Sequence, residues 1–219
     1  MADIFREVDE DLRRERAANL WRRFGPVLIT AAVLTVAATA GYVAWQRWQS
    51  ARNQEQTAEL GRALAQALPA GASAPATNAA DLLAGAAART DGAHAALARF
   101  YEAGLRARQG DREGAVALYD QLAGTEADPV FRDLAQLLAV LHQVDSGDPK
   151  QLLSRLTPLM GSDNPWNWSA RELAGLLSAR DGDTARAREL FSQLADDPQT
   201  PAGVRARATE LADFYAPPK

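Results

Sequence analysis

From Phe24 to Gln46 the chain carries no charged residue, although 24% of its 219 residues are Asp, Glu, Lys or Arg. Few soluble architectures tolerate such a run. A helix rises about 1.5 Å per residue, so roughly 20 apolar residues cross a hydrocarbon core of about 30 Å. Arg22, Arg23 and Arg47 bracket the run, with Trp21 and Phe24 at one end and Tyr42, Trp45 and Trp48 at the other. Amphipathic rings settle in the headgroup layer of a bilayer. The reading is a single transmembrane helix over residues 24–46. A cleaved signal peptide is the rival, because Ala38-Thr39-Ala40 has the small residues of a cleavage site. Against it, over twenty residues with six acids and six arginines precede the run, which also continues past Ala40 to Trp45. Ala37 and Gly41, four apart, would let a second copy of this helix approach closely.

Arginines set the expected orientation. Arg13, Arg14, Arg16, Arg22 and Arg23 precede the run, and only Arg47, Arg52 and Arg62 follow it over a similar distance. Basic residues are retained on the cytoplasmic side, so residues 1–23 are expected in the cytoplasm and the rest beyond the membrane. Cysteine is absent, which suits an oxidising space without disulfides.

Acids and bases ahead of the run cancel, so the formal charge of −4 belongs to the residues C-terminal to it. Interspersed signs describe a solvated surface, and the basic stripe of a nucleic-acid binder is missing. Ala and Leu dominate, β-branched residues are sparse outside the apolar run, and strand-like alternation is hard to find, so the fold class is all-α.

Beyond the run the chain repeats itself. Gly-Asp pairs stand at Gly110-Asp111, Gly147-Asp148 and Gly182-Asp183, and prolines at Pro129, Pro165 and Pro201, all 35–37 residues apart. Each Gly is expected to end a first helix in the left-handed conformation, each Asp to cap a second, and each proline to stop it. Ala115, Leu152 and Ala187 begin the same stripe in each second helix. Tyr119, Leu156 and Phe191 follow four residues later, then Leu122, Leu159 and Leu194 after three more. Helices joined by so short a turn lie antiparallel, and stacking such hairpins gives a solenoid. The repeats are expected at about 92–127, 129–163 and 165–198, with a capping helix at 202–215. Residues 47–90 are expected to hold a helical extension, a Pro/Ala linker and a first short helix.

Small-then-aromatic pairs Ala115/Tyr119 and Ala187/Phe191, with Leu152/Leu156 a looser copy, resemble the tetratricopeptide repeat. The small residue of its first helix is matched by Ala103 and Gly175 and broken by Val140, and the usual Trp and Tyr of that helix are missing. With DIFREVDEDLRRERAANLWRRFGP, the apolar run and WQRWQ ahead of it, the layout resembles a family of bacterial inner-membrane proteins. That family is related to the ancillary subunit of the Sec translocon, and this chain looks like its alphaproteobacterial branch. The resemblance implies a membrane-anchored periplasmic scaffold for protein–protein contact, with translocon subunits, periplasmic chaperones and their clients as partners. The alternative is an assembly subunit that oligomerises or braces another envelope complex.

No catalytic group, cofactor site or metal site is expected. There is no cysteine and no phosphate-cradling glycine loop. His94 and His142, 48 residues apart, match no metal-helix spacing and read as surface or packing residues. Trp166 and Trp168 read as filling between hairpins in preference to partner anchors. If the first helices line the concave surface, Leu97, Phe100, Arg108, Leu134, Leu137, Leu141, Glu172, Leu176 and Arg180 fall on it. Of these, Phe100, Arg108, Leu137, Leu141, Glu172 and Arg180 are the expected partner-binding residues, the arginines clasping a carboxylate.

Overall fold

The computed structural model describes residues 2–70, 74–126 and 128–216, with side chains from residue 22 onward, residue 25 excepted. Arg13, Arg14, Arg16 and Trp21, which carry the expected orientation and one aromatic end of the run, lie outside the described side chains. Every regular element among the described residues is helical. The chain divides into two units, Met1–Glu55 and Gln56–Lys219.

In the first unit, helix α1 (Ala2–Ala67) contains Pro26 and the apolar run. Among the described residues one helical stretch, Pro26–Ala67, is long and apolar enough to cross a membrane, and its most apolar 18-residue window has mean hydropathy 2.0 and no buried residue. The threonine hydroxyls within the run do not compete for outside partners. Thr30, Thr35 and Thr39 donate to the carbonyls of Pro26, Ala31 and Thr35, each at 2.8 Å. A hydroxyl bonded back onto its own helix is one that an apolar surrounding tolerates.

The second unit begins inside α1, whose end carries the inward residues Leu60, Ala63 and Ala67. After it come α2 (Ala79–Arg89), α3 (Gly92–Arg108), α4 (Arg112–Thr125), α5 (Pro129–Leu141), α6 (Pro149–Leu156), α7 (Asn167–Arg180), α8 (Thr184–Asp196) and α9 (Ala202–Phe214). Successive helices pack against each other as antiparallel hairpins. The nine stripe residues of α4, of α6 with the 3₁₀ turn that follows it, and of α8 are all buried. The structure adds a hairpin ahead of them. Ala79, Leu83 and Ala86 of α2 repeat the stripe 36 residues before Ala115, Tyr119 and Leu122. Ala67 stands 36 residues before Ala103 and is likewise fully buried. The end of α1 is therefore the first helix of a further unit. Arg89 on Glu59 (2.6 Å) and Gln56 on Asp91 (2.8 Å) fasten it.

The caps follow the expected chemistry, with two corrections. Asp111, Asp148 and Asp183 accept backbone N–H groups from Gly114, Lys150 and Arg186 at 2.8–2.9 Å. Gly110 and Gly182 have φ of 93° and 90°, the left-handed conformation that ends a helix. Gly147 does not. There α5 has already ended at Leu141, and a side chain at 147 would meet Leu152 Cδ1 at 2.9 Å, so the constraint is steric crowding. The prolines do not stop second helices; they open first ones. Pro129 is the first residue of α5 behind the Asp128 cap, Pro165 precedes α7, and Pro201 caps α9. Proline suits a helix start because its missing N–H has no partner there anyway. In the middle unit Pro158 ends α6 after eight residues, and the turn Thr157–Met160 still delivers Leu159 to the core.

The closest approach within a hairpin is at Gly175, where an added Cβ would lie 2.6 Å from Cζ of the fully buried Phe191. Tyr215 of the cap stacks on that ring at 6.1 Å. Trp166 donates to the Val130 carbonyl (2.9 Å), and Trp168 packs against the core around Phe191, so both sit in joints between helices. Gly175→Ala gains about 1 kcal/mol of helix propensity but forces a ring that cannot swing clear, at a cost of about 1–3 kcal/mol. The melting temperature of the full chain in detergent should fall. Gly124 supplies the control, being helical and exposed, with nothing within 4 Å of the place a Cβ would take. Gly124→Ala should raise the melting temperature, by about 0.5–1 kcal/mol of stability.

Candidate partner-binding surface

The expected contact residues do not form one site. Phe100 is half-buried on α3, and Leu141 is 43% exposed at the end of α5. Arg108 is exposed at the end of α3, where it lies with Gln109 beside Ala74–Thr77, two helical turns from Phe100. Leu137 requires a correction. It is 6% exposed and packs with Val140, Leu152 and Leu156 in the core, because α5 turns that face toward α6 and α7. Glu172 is already engaged, accepting two bonds from Arg207 of α9 at 2.6 and 2.9 Å. Arg180 donates to the Val144 carbonyl, so the two arginines do not wait as a pair for a carboxylate.

What the first helices do form is a cavity of about 190 Å³ between α3 and the start of α5. Ala93, Ala96, Leu97 and Phe100 line it from α3, Phe131 from α5, and Glu126 and Asp128 from the connection before α5. Phe131 and Leu97 are 44% and 42% exposed. Phe131, Glu126 and Asp128 were not among the expected residues. A signal for Phe131 was present, since Phe131, Leu134, Leu138 and Leu141 follow at i, i+3, i+7 and i+10 along one face of a helix.

Behind the cavity the rings are connected. Phe131 lies 6.3 Å from Phe100, Phe100 lies 6.1 Å from Tyr119, and His142 stacks on Tyr119 at 5.6 Å with the rings nearly parallel. Burial raises the Tyr119 pKa, which keeps its hydroxyl protonated. Burial, then the charge of Arg112, lowers that of His142 and favours the neutral ring in the stack. Next to this cluster the nearly buried Glu102 carboxylate accepts two bonds from Arg106, at 3.0 and 2.8 Å. That bond chiefly raises the Arg106 pKa, and the same guanidinium reaches Asp111 at 3.2 Å. The Gly114 N–H, then Arg106, holds Asp111 below its ordinary pKa.

His94 pairs through Nε2 with the Thr57 hydroxyl at 2.9 Å. Among the described residues no three His, Cys, Asp or Glu side chains gather as metal ligands would. These hairpins, stacked in sequence with buried stripes on their second helices, define a helical repeat domain. The model of the tetratricopeptide repeat-like domain matches residues 19–211, and the chain belongs to that family. Repeats of this kind typically mediate protein–protein contact and are typically non-enzymatic. No curated protein and no solved structure is significantly similar to the chain.

His142 gives the fold a pH dependence whose sign is fixed. Its folded pKa is depressed, so the unfolded chain takes up the proton first, and stability present above about pH 6.5 is lost as pH falls. Melting temperatures of the full chain should drop between about pH 7.5 and 5.5. His142→Phe, which keeps a ring on Tyr119 without the titration, should flatten that slope.

Proposed function

We propose that the protein is a membrane-anchored scaffold that binds other proteins through its repeats. Residues 24–46 cross the bacterial inner membrane, residues 1–23 lie in the cytoplasm, and the helical extension (47–90) and the repeats (91–219) stand in the periplasm. The observation that carries the anchor is the uncharged stretch of α1 from Pro26, whose described side chains are exposed. Val27, Leu28, Ile29, Val33, Leu34 and Val36 are all exposed there. Burying them in lipid is worth about 25 cal/mol for each Å² of apolar surface removed from water.

The family supports contact-making as the activity, and no catalytic role is proposed for any residue. Phe100, Leu141 and Arg108 retain surface to offer a partner. The resemblance to the relatives of the Sec translocon's ancillary subunit supports translocon subunits, periplasmic chaperones and their clients as the partners.

Protease added to spheroplasts should digest the repeats and leave the N-terminal segment intact. Protection of the repeats, or a mature N-terminus at Gly41, would sink the topology. Crosslinking in intact cells should capture other proteins through the repeat unit. A chain that instead purifies as a stable oligomer and captures nothing but itself would favour the assembly-subunit reading.

A further inference from the structure

We propose that the cleft between α6, α7 and the start of α8 is a docking site for a single Arg or Lys side chain of a partner protein, its alkyl stem laid on an apolar floor and its charged head set against Asp181 and Asp183. This deepens the scaffold reading and rests on it.

The cleft opens where α6 stops at Leu156 and hands over to the turn Thr157–Met160. An apolar cavity of roughly 150 Å³ accepts a benzene ring, and this cleft holds about 230 Å³. Leu153, Met160, Ala174 and Leu190 make its floor. Two hydroxyls also line it, and both are committed within the chain. Ser178 donates to the Ala174 carbonyl at 2.8 Å, and Thr157 donates to the Leu153 carbonyl at 3.0 Å. The floor therefore suits methylene groups. The Met160 carbonyl accepts two bonds from Arg171, at 3.2 and 3.0 Å, which ties the turn to α7. A wall held in place before a guest arrives loses less in ordering on binding.

Charge selects the guest. Of the described residues that line the cleft, the charged ones are Asp181, Asp183 and Arg186. Arg186 is answered within its own helix, donating to Glu189 Oε2 at 2.6 Å. Asp183 caps α8 by accepting the Arg186 N–H at 2.9 Å, a bond that leaves its charge in place. Asp181 follows the last residue of α7, and its carboxylate has no partner among the described residues. The neighbouring Arg180 gives its guanidinium to the Val144 carbonyl and does not line the cleft. What remains is negative charge over an apolar floor. Lys and Arg are built to match it, with an apolar stem and a charged head. An acidic side chain is repelled, and an apolar one takes water from the carboxylates without replacing it.

The test uses the full chain in dodecyl maltoside micelles and a fluorescein-labelled peptide, Gly-Ser-Leu-Arg-Leu-Ser-Gly, read by anisotropy. It should bind about tenfold tighter than the same peptide with Glu for Arg, or with citrulline, the uncharged isostere. Asp181→Asn should weaken it about fivefold, the size of one exposed ion pair. Thr157→Arg, which puts the chain's own cation into the cleft, should weaken it by about the same factor. Both side chains are exposed, so helicity should be unchanged. Equal binding of the citrulline or Glu peptide, or indifference to both substitutions, overturns the proposal. An Asp181-dependent dimer that excludes the peptide also overturns it, by making a second copy the occupant. Crosslinked partners whose yield in cells ignores both substitutions would remove the cleft and leave the scaffold standing. A wild-type chain that captures no partner in cells would remove the scaffold reading itself.

Discussion

The hairpins rest on one kind of contact: a helix backbone brought against an inward side chain of the next helix, admitted by a residue too small to object. It is tightest where Gly175 meets Phe191, with no room for a methyl group. Ala103, in the core with Tyr119, and Ala67, in the core with the α2 stripe, hold the equivalent positions and are both fully buried. The burial of the stripes, the short turns and the stacking of one hairpin on the next all presuppose this approach. Helices held further apart would leave voids beside these rings, and interiors pack too densely to tolerate them.

The middle unit shows what happens when that contact is traded away. Val140 occupies the small position, Leu152 and Leu156 replace the small and aromatic pair, and α6 shrinks to eight residues before Pro158. The core is retained by other means. Leu159 enters from a 3₁₀ turn, Trp166 reaches back to Val130, and Asn164 donates to Asp133 at 2.8 Å. Arg155 binds Asp120 of α4, and Gln136 of α5 donates to the Arg155 carbonyl. A unit with poorer packing complementarity is laced to its neighbours by polar bonds.

What the sequence made legible was whatever is local and periodic. The stripes at i, i+4 and i+7 stand out because a helix places those residues on one face, and the aspartate caps because they act within three residues. The hairpin made by the end of α1 was hidden for the opposite reason. Ala67 and Ala79 carry the right spacing, but the Pro- and Ala-rich stretch between them read as a linker leading away from the apolar run. The partner-binding residues fared worst. Nothing near Arg180 reveals that the Val144 carbonyl, 36 residues earlier, takes its guanidinium, and nothing near Glu172 reveals Arg207. The cavity was equally invisible, because it needs a turn of α3 and the start of α5 to meet.

Because α1 runs without interruption from the apolar run to Ala67, the chain offers no extended peptide between Trp48 and the first turn of the repeats. Proteases need several residues drawn out into an extended strand, and helices deny them that. A cut within residues 56–67 would remove the helix that completes the first hairpin of the repeats, and with it the cover over the stripe of α2.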